Sequence, residues 1–375
     1  MTTDGQTSAS DGAARELPLV SAIMPAHNAQ KYIALALDSV LTQTYKNIEV
    51  IVVDDGSTDT TAEIVQSYAG RNPRVTLLRQ PNAGVASARN RAIEVSHGEY
   101  IAPIDADDIW YPEKIDKQVR YLFEAGSNTG LVYGWLARID KNGELTGGAD
   151  VSLLSGDVLA ALIYRNFLCC ASLPLIHREC FERLGGYNTR LQEQRASGSE
   201  DHELYLRIAE HYQFGLIEEP LVAYRTHSSS MSCDYRSMER SHFLVIGQVR
   251  ERHPRIPPYL LRWAASRYYM YLELRSRQAG HHWTSICYLC KAGSVDLRMM
   301  LYPDFRRRLV LNLSRIAYWL RRAAHSLDKG AGSTTRRRLA LNEIVEVNNR
   351  RPASKLRQLY GRRLETAQKL NIRRY

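Results

Sequence analysis

The chain predicts an α/β protein built on a doubly wound, mostly parallel sheet and followed by a helical, basic C-terminal region. Three observations predict it. Short β-branched, apolar runs alternate with helix-forming stretches from Val20 to Ala125, which is the order in which a parallel sheet is wound. Each run ends in small or polar groups, namely Asn28, Asp54 and Asp55, Asn82 and Gly84, Asp105 and Asp107, at the edge where open sheets collect ligands. Charge is also uneven along the chain. Of the formal net charge of +10, residues 300–375 carry 19 Lys/Arg against 5 Asp/Glu, which leaves the first 299 residues at −4.

Residues 1–16 are polar and rich in Ser, Thr, Gly and Ala, the composition of a disordered leader. Val20–Pro25 is the first strand, and Ala26-His27-Asn28 leads into a helix over Lys31–Thr42. Glu49–Val53 is almost wholly apolar, as a strand covered on both faces should be. It runs into Asp54-Asp55-Gly56-Ser57-Thr58-Asp59, after which Thr60 and Glu63 have capping-box spacing. Val75–Arg79 is the third strand, Asn82-Ala83-Gly84 its loop and Val85–Val95 a helix. Tyr100–Ile104 is the fourth strand, and Pro112–Ala125 the helix behind it.

The order is less regular beyond this point. Leu131–Ile139 reads as a strand with an Asn-Gly turn signal at Lys141–Glu144. Ala171–Ile176 reads as another, Arg178–Leu184 as a short helix, and Gly185-Gly186-Tyr187 as a turn. Ser199 has the position of a helix cap with Glu200 and Asp201 in the first turn, and Leu221–Arg225 is the last strand. From Tyr235 the texture becomes helical and rich in Arg, Tyr and Leu, with a break at Pro254, Pro257 and Pro258 and a joint at Gly330–Thr335. These boundaries divide the chain into 1–16, 17–232, 233–329 and 330–375.

Six cysteines without a secreted-framework spacing, and an N-terminus without signal-peptide character, point to a reducing cytoplasm. Cys287 and Cys290 form a C-x-x-C inside a helical pattern with no second ligand pair, so they read as core thiols. No run reaches the ~18 apolar residues of a spanning helix. In Asp304–Ser326, Leu309, Leu311, Leu313, Ile316, Trp319 and Leu320 are interleaved with six arginines. That pattern fits a helix lying in the interface of an anionic membrane, on its inner face. A solvated basic face fits as well, and nucleic acid finds no support outside the tail.

Asp105, Ala106, Asp107 and Asp108 put three carboxylates into four positions at a strand end, which suits a divalent cation held by hard oxygen ligands. A solvated acidic turn would look the same in isolation, just as Asp54–Asp59 taken alone would serve as a strand-to-helix turn.

The ordered set VSAIMPAHN, EVIVVDDGSTD, NAGVASARNRAI, GEYIAPIDADD and SEDHELYLRI resembles the family 2 glycosyltransferases over residues 17–230. The resemblance implies the GT-A fold, with a Rossmann-like nucleotide-binding half, and inverting sugar transfer from a nucleotide donor. It implies that Asp55 reads the uracil or thymine of a UDP- or dTDP-sugar with Asp54 beside it. Pro25, Asn28, Asn82, Gly84, Arg89 and Asn90 are implied to surround the nucleoside. Asp105, Ala106 and Asp107 match the D-x-D that holds Mg²⁺ or Mn²⁺ on the diphosphate, Asp107 as direct ligand. Asp201 matches the base, and His227 a position that sometimes contacts the metal.

The expected acceptor is a hydroxyl on a glycan or lipid-linked precursor of a surface polysaccharide. Two other readings use the same residues: a nucleotidyltransferase, and a membrane-docked protein that binds a sugar nucleotide without turning it over. The first turn of a helix should lower the pKa of Asp201, whereas a base works best when poised nearer neutrality. Desolvation by a bound acceptor, or repulsion from Glu200, would offset the helix.

Overall fold

The computed structural model describes residues 17–226, 234–328, 355–370 and 372. β1 (Val20–Ala26), β2 (Ile48–Asp55), β3 (Val75–Gln80) and β4 (Tyr100–Pro103) pair in parallel in the order β3-β2-β1-β4. α1 (Ile33–Leu41), α2 (Thr61–Ala69) and α3 (Val85–Val95) make the crossovers. Register puts Ala26 beside Asp54 and Ile23 beside Pro103, so the polar ends of β1, β2 and β4 lie at one edge. β1 and all but one residue of β2 are buried, which is why their sequences show no alternation.

The second half of the sheet is mixed. Next in the sheet are β8 (Leu175–His177), β6 (Thr129–Ile139), β9 (Gln213–Arg225) and the two-residue β5 (Ile109–Trp110), with β7 (Leu145–Asp150) paired to β6. β8 is antiparallel to β4 and β6, whereas β6 and β9 are parallel. The helices here are α4 (Lys114–Ala125), α5 (Leu159–Tyr164), α6 (Arg178–Leu184), α7 (Arg190–Glu193) and α8 (Glu200–His211).

Several expectations need correction. The last strand is 13 residues long rather than five. Its first part was hidden because Glu218, Glu219 and Pro220 interrupt the apolar run, and the register with β6 shifts at Pro220. The strand expected from Ala171 starts only at Leu175, because Ser172 bonds to the acidic turn instead of a neighbouring strand. The Thr60 hydroxyl makes no cap. It donates to Gln30 Oε1 at 2.8 Å, and Asp59 Oδ1 accepts the Thr61 N–H.

The C-terminal region comprises α9 (Tyr235–Arg252), α10 (Pro258–Gln278), α11 (His282–Val295), a 3-10 turn at Leu297–Leu301, α12 (Pro303–Asp328) and α13 (Lys355–Gln368). One apolar core runs from the sheet through Val245, Ile246, Val249, Ile256 and Leu260, so α9 and the start of α10 are packed onto the α/β half. A smaller core joins Met270, Leu289, Ala292, Met299 and Phe305. α12 buries Phe305, Asn312 and Ile316 and leaves Val310, Leu313, Trp319 and Leu320 exposed. Cys287 and Cys290 are exposed on α11 rather than in the core, since Ser285, Tyr288, Leu289 and Ala292 fill its inner face. No helix among the described residues is long and apolar enough to cross a membrane. The leader, the joint at Gly330–Thr335 and His227 lie outside the described residues.

Candidate active site

The site begins with two loops that lock onto one carboxylate. Asp55, at the end of β2 and 4% exposed, accepts the backbone N–H of Ala83 and the side-chain amide of Gln80 on Oδ1. Its Oδ2 accepts the Gly84 N–H, and all three bonds are 2.8 Å long. Gly56 and Gly84 are required there: both have positive φ, and a Cβ on Gly56 would come within 2.8 Å of the Asn82 nitrogen. Asp54 accepts the Ser57 N–H at 3.2 Å.

Asn28, at φ +51°, accepts the Thr58 N–H at 2.8 Å, and its own N–H donates to Ser57 Oγ at 3.0 Å. The His27 ring nitrogen Nδ1 lies 2.9 Å from the Asp55 carbonyl. That contact requires a proton on Nδ1, which leaves Nε2 to accept from the Asn28 amide at 3.2 Å. Pro25 is buried in β1 opposite Val53, and the Asn82 amide lies 3.5 Å from the accepting His27 Nε2.

A second knot forms around the acidic run. Asp108, with no exposed surface, accepts the Ser172 hydroxyl at 2.5 Å and the Arg225 N–H at 2.9 Å. The same Ser172 oxygen accepts the Asp105 N–H at 2.9 Å. Arg225, 2% exposed, donates to the carbonyls of Asp107 and Asp140 and lies over the Tyr32 ring at 4.5 Å. One serine and one arginine thus fasten the turn to β9. Burial, then the charges of Asp107 and Asp105, push the Asp108 carboxyl well above its usual range. Asp108 is therefore a fastener, while Asp105 and Asp107 keep part of their surface open and Ala106 is buried between them.

The third group spans the cleft. Arg89, on α3 and nearly buried, donates to Asp105 Oδ1 at 2.6 Å and packs over the Tyr187 ring at 5.1 Å. Burial alone would weaken the guanidinium as a base. The charge of Asp105, then Tyr187 and Asp201, outweighs it and raises its pKa. Asp201 stands in the first turn of α8, its Oδ1 accepting the His202 N–H at 2.7 Å. Burial raises its carboxyl to about 6. Arg89 opposes the rise, Glu200 and Asp105 add to it, and the His202 N–H opposes it. Ser199 precedes α8 but its hydroxyl makes no cap; Glu200 instead accepts the Gly198 N–H at 2.8 Å.

The structure thus brings Arg89, Asp105 and Asp201 into one charged cluster. Asn90 serves a different neighbour: its amide exchanges both bonds with the Tyr187 backbone, at 2.7 and 2.8 Å, and so holds the ring that Arg89 covers. A cavity lined by Leu78, Gln80, Ser87, Asn90, Arg91, Glu94 and Val95 contains none of the acidic cluster. Sequence reasoning passed over Ser172, the fastening role of Arg225, and Tyr187. A third acid beside the D-x-D was the one available signal, because a buried carboxylate needs partners.

A parallel nucleotide-type half sheet whose edge gathers an acidic turn, a buried arginine and a raised carboxyl on a facing helix defines an α/β transferase of the GT-A type. The model of the glycosyl transferase family 2 matches residues 21–184. TuaG of Bacillus subtilis (strain 168), assigned to teichuronic acid biosynthesis, is 33% identical over 242 residues, which span 60% of this chain and 91% of that protein. The chain belongs to the glycosyl transferase family 2. The chondroitin synthase of Escherichia coli is 28% identical over 240 residues, 64% of this chain but 33% of its own length, so the chain spans about a third of that relative. Among solved structures, the mannosyltransferase PcManGT from Pyrobaculum calidifontis, in complex with GDP-Man and Mn²⁺, shares the fold. Its TM-score is 0.51 at 22% identity, covering 82% of this chain and 88% of its own.

Proposed function

We propose that the chain transfers a hexose-type sugar, with inversion, from a UDP- or dTDP-sugar to a hydroxyl on a glycan or lipid-linked precursor of a surface polysaccharide. The observation that carries this reading is the proximity of Asp201, its carboxyl raised to about 6, to the Arg89–Asp105 pair. A carboxylate of that pKa is ionised at neutral pH and is a stronger base than an ordinary one. It removes the acceptor hydroxyl's proton as the oxygen attacks the anomeric carbon, and the nucleoside diphosphate leaves on the opposite side. Arg89 holds Asp105 in place. Asp55 retains one lone-pair site on Oδ2 for the base N3–H, in a loop already fixed by Ala83 and Gly84.

The donor set fits Mg²⁺ or Mn²⁺ by its chemistry: hard carboxylate oxygens from Asp107 and from the Asp105 oxygen that Arg89 does not use. No group of three ligating side chains forms among the described residues. The diphosphate's own oxygens would therefore complete the coordination, as is usual for Mg²⁺. When bound, the ion supplies positive charge to the departing diphosphate.

Product analysis tests the reading. Incubation with UDP- and dTDP-sugars and a panel of glycan acceptors should release nucleoside diphosphate and a longer glycan, and Asp201→Asn should not do so. Release of pyrophosphate would identify a nucleotidyltransferase instead, and donor binding without any product would identify a binding protein.

The exposed Val310, Leu313, Trp319 and Leu320 of α12, next to exposed Arg306, Arg307 and Arg321, support docking of this helix on an anionic membrane surface. Replacing Val310, Leu313 and Leu320 with Ser should lower co-sedimentation with phosphatidylglycerol vesicles. Unchanged co-sedimentation would remove α12 from that role.

A further inference from the structure

α10 carries Arg267, Tyr271 and Arg275 at i, i+4 and i+8, which places them on one face of the helix. Tyr271 keeps 39% of its surface open, although its phenol lies within electrostatic reach of Arg275, Cys169, Arg138 and Asp201. An exposed aromatic ring within electrostatic reach of the proposed base is a platform for the apolar face of a sugar ring, and pockets for such ligands pair aromatic walls with a few placed polar groups.

The polar groups nearby include two arginines, Arg165 and Arg267. Arg267 stacks 4.3 Å from the Tyr360 ring and 5.9 Å from the Tyr164 ring. Among the described residues no carboxylate pairs with Arg267 or with Arg165, and the largest charge effect on Arg267 is that of Arg165. The hydroxyl of Tyr164, a residue 2% exposed, has no hydrogen-bond partner, and neither has that of Tyr360. Arg138 lies 5.5 Å over Tyr224, whose phenol is in turn within reach of Tyr271 and Asp105. Two neighbouring guanidiniums and two orphaned hydroxyl donors are a costly arrangement in a protein interior unless an anion joins them. Planar guanidiniums match phosphate and carboxylate oxygens.

We propose that this face of α10, with Arg165 and Tyr164, is the acceptor subsite and selects an acceptor bearing an anionic group. Tyr271 carries a sugar ring, while Arg165 and Arg267 hold a phosphate or carboxylate of the same glycan. The proposal rests on Asp201 being the base that faces this acceptor.

Calorimetric titration of the 375-residue chain, with and without saturating UDP, tests it with three probes. They are a glycerol phosphate tetramer, an oligosaccharide containing uronic acid, and the same oligosaccharide after carboxyl reduction. At least one charged probe should bind about tenfold or more tighter than the reduced one, the difference expected for a charge-assisted contact. Tighter binding of the phosphate probe or of the uronate probe identifies the source of the charge.

Tyr271→Ala should weaken the preferred probe about tenfold, and Tyr271→Phe should restore it. Arg267→Gln should abolish the charge preference, and Arg267→Lys should keep part of it. Equal binding of charged and reduced probes, or charged binding unchanged in Tyr271→Ala and Arg267→Gln, overturns the proposal. The UDP titration in the same samples reads the donor half separately: failure there counts against the proposed function, whichever way the acceptor probes fall.

Discussion

The nucleoside end of the proposed donor edge and the proposed acceptor side are held in place by different means. At the nucleoside end, loops at the same sheet edge fix Asp55, through Ala83 and Gly84, and Asn28, through Thr58, whereas the acidic turn is fastened by the distant Ser172 and Arg225. On the acceptor side the contacts join segments far apart in the chain. The loop leading to Asp201 is held from α9, where Ser237 Oγ accepts the Ser197 N–H at 2.9 Å and Arg240 donates to the carbonyls of Gln194 and Arg195. The helical region thus supports the loop that carries the proposed base, so damage to either half should reach the chemistry by a different route.

The largest expected effect separates chemistry from donor binding. Asp201→Asn should cost about 10²- to 10⁴-fold in transfer while calorimetry finds UDP affinity within about threefold; wild-type transfer would remove Asp201 from the role. Next comes Asp107→Ala, which should leave the fold intact and abolish the difference between UDP affinities with and without Mn²⁺. A preserved metal effect would place the ion elsewhere. Ser172→Ala leaves the Asp108 carboxyl without its hydroxyl partner and should destabilise the chain by about 1–3 kcal/mol in urea unfolding. It should also weaken donor binding, because Asp105 loses its backbone anchor.

Acidity affects the two sides unequally. Asp201 must be ionised to accept a proton, so kcat/KM should fall about tenfold per unit below pH 6 and level off above it. The folded carboxyl, raised above its ordinary 3.8, holds its proton more tightly than the unfolded chain does. Its contribution to stability is therefore present at low pH and is lost as pH rises from about 3.8 through 6. Asp201→Asn should remove that part of the pH dependence, as thermal unfolding at pH 4 and 7 would show. The smallest effect belongs to a site distant from both walls. Arg120→Ala breaks an exposed i,i+4 pair with Asp116 and should change stability by under about 0.5 kcal/mol.

Much of the donor edge was legible because it follows from local rules. β-branched runs, the glycines at 56 and 84, and acids at strand ends are dictated by the strand or turn that carries them. Of the effects on Asp201, the repulsion from Glu200 was legible, whereas burial within the protein and the opposing Arg89 were not. Ser172, Tyr187 and the face of α10 were not. Their roles depend on which distant segment packs against them, and neither β9's early start nor the α9 contacts leave a periodic mark. The exposure of Cys287 and Cys290 was misread for the same reason: a short apolar pattern does not say which face of α11 turns inward.

The most direct test of the account is calorimetric titration with UDP and dTDP, each with and without Mn²⁺, on the wild-type chain and on Asp201→Asn. Metal-dependent binding of at least one nucleotide is expected, of similar strength in both proteins, with turnover confined to the wild type. Absence of binding by either nucleotide in a folded protein would contradict it, beginning at Asp55.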